Sequence, residues 1–125
     1  MPKKPSYWLV GANWEGDDIS QAFFRRGYWE LGWSDQDQPS MAKQRNTMHA
    51  GDRIALKSMR GRGATTITIK GIGIIKEVAE DKRVYINWLV TNLNREVPAH
   101  GCFGSVHGPY SVATDEEWLS QVFRL

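Results

Sequence analysis

The stretch Thr65 to Val78 (Thr-Thr-Ile-Thr-Ile-Lys-Gly-Ile-Gly-Ile-Ile-Lys-Glu-Val) constrains this chain more than any other. Ile67 and Ile69 alternate with threonine and lysine, the pattern of a strand with one buried face. Gly71 and Gly73 interrupt that pattern. A glycine inside a strand marks a bulge or a bend, and a long strand that bends lets a sheet curl toward a barrel. The order of the remaining segments fits a curled sheet with a few short helices around it.

Ser6 to Ala12 reads as a first strand stopped by Gly11. Asp18 and Gln21 have the spacing of a capping box, with Ile19, Ala22 and Phe23 on one helical face and Gly27 as the terminator. Tyr28 to Trp33 is a strand or an extended segment, and Pro39 starts a short helix running to about Met48. After the turn Ala50-Gly51-Asp52, the segment Arg53 to Ser58 is predicted to be a strand with Ile54 and Leu56 inward. Met59 to Ala64 is a basic glycine-rich loop; Glu80 to Lys82 is a turn, and Arg83 to Val90 returns as a strand. Leu93 to Ser111, with its glycines and prolines, is predicted to be irregular. Thr114 and Glu117 form a second capping-box pattern ahead of Trp118, Leu119 and Val122. The predicted class is therefore α+β, a curled and mostly antiparallel barrel-like sheet with flanking short helices.

A length of 125 residues allows one domain, expected to span residues 1–125. The single cysteine, Cys102, has no internal disulfide partner, which favours a reducing compartment; a cytoplasmic location without membrane contact is expected. Net charge is only +2, but from Gln38 to Lys76 eight bases (Lys43, Arg45, Arg53, Lys57, Arg60, Arg62, Lys70, Lys76) face one acid, Asp52. Such asymmetry can present a basic face to phosphates. Six tryptophans (Trp8, Trp14, Trp29, Trp33, Trp88, Trp118) exceed what so small a core needs, so some are expected at a surface or pocket. Trp8, Trp88 and Trp118 lie in strand or helix patterns and are expected in the core.

Signals for catalysis are poor. His49, His100, His107 and Cys102 match no metal spacing, no phosphate loop or nucleophile elbow occurs, and Gly61-Arg-Gly63 and Gly71-Ile-Gly73 do not open helices. No catalytic residue, metal or cofactor is expected.

Two blocks carry a resemblance to a known family. The run Trp8-Leu-Val-Gly-Ala-Asn-Trp14-Glu-Gly-Asp-Asp18, followed by Phe24, Gly27 and Trp29-Glu-Leu-Gly-Trp33, resembles the amino-terminal domains of McrB-like AAA ATPases. His49-Ala-Gly-Asp52-Arg-Ile-Ala-Leu-Lys-Ser58 resembles their GDRIAIKS strand, and Ile69-Lys-Gly-Ile-Gly73 their IKAIG strand. Those domains are similar to EVE and YTH domains of the PUA-like superfamily, whose G-x-G/A-x-x-x-E-V strand is matched by Gly71, Gly73, Glu77 and Val78. The resemblance covers residues 6 to about 90, and no Gly-x-x-x-x-Gly-Lys-Ser/Thr of an ATPase is present. The chain is then either a stand-alone reader or one domain of a longer protein, and an effector nuclease or ATPase acting in trans is a candidate partner.

The resemblance implies recognition of a chemically altered base, expected to be methylated and carried by DNA sooner than RNA. By position it implies that Trp29 is a stacking wall and that Asn13 and Trp14 line the pocket. The later tryptophan-rich loop of YTH domains has no counterpart here, which leaves Trp33 as the expected second wall. From the residues themselves, Arg60 and Arg62, flanked by glycines, suit phosphate contacts in a loop that can follow a nucleic-acid backbone. Lys57 is grouped with them, and Ser58 is a candidate donor to a base. Stacking contributes on the order of 1–3 kcal/mol per base and tolerates any base, so selectivity needs polar groups at the base edge. An RNA-modification reader and a protein-interaction domain with exposed aromatics are the alternatives. A small enzyme of the related ASCH type would need a lysine or carboxylate in the cavity, for which Lys57 and Glu30 are the candidates.

Overall fold

The computed structural model describes residues 4–61 and 63–125. The strands are β1 (Tyr7–Gly11), β2 (Asn13–Trp14), β3 (Asp17–Asp18), β4 (Tyr28–Glu30), β5 (Arg53–Met59), β6 (Thr66–Val78), β7 (Arg83–Val90), β8 (Arg95–Pro98) and β9 (Val106–Tyr110). The helices are α1 (Ser20–Arg26), α2 (Pro39–Asn46) and α3 (Val112–Phe123), and among the described residues none is long and apolar enough to cross a membrane. One mixed sheet runs β4-β7-β6-β5-β1-β9, with β8 also on β6, while β2 and β3 form a small separate ribbon. Among the described residues only β1 and β5 run parallel, Tyr7 opposite Arg53 through Gly11 opposite Lys57. The remaining pairings are antiparallel.

Strand β6 is the spine, and it bends as its glycines predict. One edge pairs with β5; the other pairs with β8 from Thr66 to Ile69 and with β7 from Ile72 to Val78. Leu56 sits opposite Gly71 and Lys57 opposite Ile69, so Lys70 is the extra residue of a bulge. Close packing at the bend excludes side chains: a Cβ on Gly71 would lie 2.5 Å from the Phe24 ring, and one on Gly73 2.5 Å from Cγ2 of Ile86. The result is a curled sheet.

Apolar cores lie on both faces of that sheet. Trp8, Val10, Ile54, Leu56, Ile75, Val84 and Ile86 pack with Phe23 of α1 and with Trp29. On the other face Leu9, Ala55, Ile67, Ile69 and Ile72 pack with Trp118, Leu119 and Val122 of α3. Strand β5 is thus buried on both sides, whereas its alternation predicted one buried face; Ala55 is 0% and Lys57 2% exposed. The cause is non-local, because α3 and the β8–β9 region cover the face that the sequence pattern leaves for solvent.

Local signals were followed unevenly. Gly27 takes φ 74° and donates its N–H to Phe23, terminating α1 as predicted. Asp18 accepts from the Ser20 amide at 2.9 Å, but the Gln21 side chain bonds Asn92 instead of closing a capping box. The second box also fails, since α3 starts after Ser111 and Thr114 lies inside it. The stretch from Leu93 to Ser111 is not wholly irregular: it contributes β8 against β6 and β9 against β1. Trp8 and Trp118 are buried, and Trp88 is half-buried with its indole N–H on the Phe23 carbonyl.

Candidate functional site

Strand β1 ends at Gly11, opposite Lys57 of the parallel strand β5, and an open recess of about 520 Å³ begins there. Gly11, Ala12 and Asn13 form one side; Lys57, Ser58 and Met59 form another. The loop Phe103 to Ser105 and the side chains of Trp33, Met41 and Asp18 complete the rim. A second recess of about 420 Å³ adjoins it, sharing Gly11, Asn13, Trp33 and Ser105 and adding Trp14. Trp33 therefore borders both.

The apolar content of this rim is unusual for a surface. Trp33 is 49%, Met59 50% and Phe103 47% exposed, so three of the six large exposed hydrophobics among the described residues edge one recess. Scattered exposed apolar side chains need no explanation, but a cluster around a concavity marks a binding surface. Trp14 is half-buried; its indole lies over Gly32, where an added Cβ would fall 2.8 Å from Nε1, and it meets Phe23 edge-on at 6.1 Å. Its remaining surface faces the second recess.

Polar groups line the same recess. The Asn13 side chain accepts from the Gly16 amide at 2.9 Å, which fixes its orientation in the β2–β3 turn. Ser58 lines the recess one residue beyond Lys57. The Lys57 ammonium donates to the Gly104 carbonyl, while the Gly104 amide donates to Nε2 of His107 at 2.7 Å. Burial pushes the Lys57 amine down to about 8, partly offset by Cys102. Burial, and then the charge of Lys57, lowers His107, keeping its ring neutral and able to accept. Burial raises the Cys102 thiol, and Tyr110 lies 3.3 Å from its sulfur.

The structure gathers Asn13, Trp33, Lys57 and Ser58 at one recess and Trp14 at its neighbour. Two assignments need correction. Trp29, the expected stacking wall, is 0% exposed; β4 pairs with β7, turning the indole into the core, where its N–H donates to the Gly11 carbonyl at 2.8 Å. No face is left for a base, although the bond holds β1 at the recess edge. Lys57, expected as a phosphate contact, is no outer-surface cation but a buried group beneath the recess. Arg60 is exposed and pairs with Glu96 at 3.6 Å, and Arg62 lies outside the described residues.

The basic run is also less of a face than its charge suggests. Arg45 is 3% exposed and clamps Asp35 with two bonds of 3.0 and 3.1 Å, and Lys70 pairs with Asp18 at 3.9 Å. Glu30 pairs with Arg83 at 3.1 Å and does not line the recess, so Lys57 and Glu30 are not brought together. Among the described residues no group of three or more His, Cys, Asp or Glu side chains converges as metal ligands would.

Sequence reasoning missed Phe103, Met59, Met41 and Ser105. For two of them a signal existed: Phe103 precedes Gly104 in a glycine-flanked turn, and Met59 opens the Arg-Gly loop. A large apolar side chain in a glycine-rich loop has no local core to enter and is a recognition candidate. Met41 and Ser105 carry no such signal. No protein-family model matches the sequence, and comparison with the curated proteins finds no match.

Proposed function

We propose that this chain is a non-catalytic nucleic-acid-binding module, a PUA-like domain of the EVE/YTH type that takes one modified base, foremost a methylated base of DNA, into the recess beside Trp33. The observation that carries the reading is the joint exposure of Trp33, Met59 and Phe103 around a concavity that Asn13, Ser58 and Lys57 also line. Aromatic faces supply stacking, sulfur and ring edges accept a methyl group, and the polar groups read the base edge. Arg60 in the neighbouring hairpin supports a phosphate contact, because an exposed ion pair such as Arg60–Glu96 is worth under about 1 kcal/mol and opens readily. The resemblance to McrB-like amino-terminal domains adds a role in restriction or defence, by analogy of fold alone.

Tryptophan fluorescence titration with short oligonucleotides tests this. Matched strands carry methylcytosine, hydroxymethylcytosine, methyladenine or no modification, each single- and double-stranded, and as DNA and RNA. The expected result is quenching that saturates at lower concentration for a modified strand and resists moderate salt. Equal binding to every strand, lost uniformly as salt rises, would leave only a generic phosphate binder.

A further inference from the structure

Four of the six tryptophans are pinned by their own indole N–H: Trp8 on Asp52, and Trp29, Trp88 and Trp118 on the carbonyls of Gly11, Phe23 and Pro98. Trp33 is not. It is carried by the connection between β4 and α2, and among the described residues its half-exposed indole has no polar anchor. Its place therefore depends on what fixes the backbone on either side. On one side Gly32 lies under the Trp14 indole, which leaves no room for a Cβ. On the other, Asp35 accepts two bonds from Arg45 of α2, Nη1 to Oδ1 at 3.1 Å and Nη2 to Oδ2 at 3.0 Å. We propose that the Arg45–Asp35 pair is a positioning device for the recess, acting through Trp33 by holding the loop so that the indole wall is in place before a base arrives. This rests on the base-reader proposal above.

The pair is built to hold one geometry. Arg45 is 3% exposed, and a planar guanidinium fork that meets a carboxylate with two parallel bonds fixes direction as well as distance. The Arg45 Nε–H donates to the Asn46 side chain at 3.1 Å, so the fork is itself held. Lys82, in the turn between β6 and β7, stands 3.3 Å from the same Asp35 carboxylate and ties the loop to the sheet as well. Hydrogen bonding from Arg45 keeps the Asp35 carboxyl below its ordinary value against the opposing effect of burial, so the pair is ionised at neutral pH. Met41, which lines the recess, precedes Arg45 by four residues on α2, so one helix face supplies both a rim side chain and the clamp. Asp35 and Arg45 line neither recess, and an effect of theirs on binding has to pass through the loop. A wall that had to be ordered at the moment of binding would subtract from affinity.

A double-mutant cycle tests this, with Arg45→Met and Trp33→Ala made singly and together. The probe is whichever of the methylcytosine, hydroxymethylcytosine and methyladenine DNA strands wild type binds most tightly. Arg45→Met is expected to weaken binding by about threefold or more, and the double variant to bind no more weakly than Trp33→Ala alone. Arg45→Lys, which keeps the charge but not the fork, should recover part of the loss. If Arg45→Met does not fold, Asp35→Asn takes its place in the same cycle, since it changes the more exposed partner and keeps an oxygen for one bond. A readout without ligand accompanies the cycle: nitrogen-15 relaxation of the Trp33 indole, assigned by its absence in Trp33→Phe. That indole is expected to be ordered in wild type and to loosen in Arg45→Met. A folded variant that binds as wild type does, losses that multiply in the double variant, or an indole equally ordered in both proteins would each overturn the positioning role. If the indole loosens but no modified strand exceeds its unmodified control on wild type, the reader proposal falls and the hold of Arg45 on Trp33 stands.

Discussion

Two tryptophans four positions apart, Trp29 and Trp33, meet opposite fates, and the difference decides how each should respond to substitution. Trp29 is sealed against Gly11 and the Trp8 cluster, while Trp33 projects over the recess with half its surface open. Trp29→Ala is expected to cost roughly 3–5 kcal/mol of stability through the cavity it leaves. Trp33→Ala is expected to leave the melting temperature nearly unchanged and to weaken oligonucleotide binding by about tenfold, the loss of one stacking surface. Thermal melts alongside titrations separate the two; a Trp33→Ala protein that binds as wild type does would remove the stacking wall from the proposal. Asp52 shows a related economy, its carboxylate accepting from the Trp8 indole, the Ser6 amide and the His49 amide at 3.0–3.1 Å. Asp52→Ala strands three donors in a largely buried place and should lower stability by about 2–4 kcal/mol in denaturant titration.

The loop between β8 and β9 brings Phe103 to the recess, and its hold on the rest of the fold passes through Gly104. That residue is fixed from both ends, by Lys57 on its carbonyl and by His107 on its amide. The folded His107 titrates below its ordinary value of 6.5 because burial and Lys57 disfavour the imidazolium. The stabilisation this brings is present above pH 6.5 and is lost as pH falls through the lowered value, since the unfolded chain takes up the proton first. Protonation also removes the acceptor that binds Gly104. Protection of the Gly104 amide, corrected for intrinsic exchange, should therefore drop as pH falls below 6.5 through the lowered value, and His107→Gln should flatten the response. Unchanged protection in wild type down to the pH at which the protein unfolds would mean that His107 does not pin the loop.

At the scale of the whole molecule, a lysine has been carried beneath a sheet buried on both faces, and the fold bears its cost. The folded amine sits at about 8 against an ordinary 10.5, which corresponds to roughly 3 kcal/mol of destabilisation wherever the group is charged in both states. Between pH 8 and 10.5 the unfolded chain binds more protons than the folded one, so this contribution makes stability rise with pH. Lys57→Met should accordingly exceed wild type in stability at pH 7, by less than the full amount because the Gly104 carbonyl loses its partner. The gap should close toward pH 10.5. Parallel stability curves for the two proteins from pH 7 to 10.5 would show that the ammonium is not desolvated.

The local sequence determined the elements whose causes are local: the bent β6 from its alternation and Gly71 and Gly73, the end of α1 from Gly27, and the apolar stripe of α3 from Trp118, Leu119 and Val122. It also marked Asn13, Trp14, Trp33 and Ser58, which the fold assembles along two joined recesses. What it left open depended on pairing between distant segments. Strands β8 and β9 exist because β6 and β1 supply their hydrogen-bond partners, and glycine- and proline-containing segments advertise no strand by themselves. Which tryptophan turned inward, and whether Lys57 met water or a carbonyl, likewise followed from what was packed on the second face of the sheet. Side-chain alternation gives each residue a face; only the tertiary arrangement decides which faces remain open to solvent.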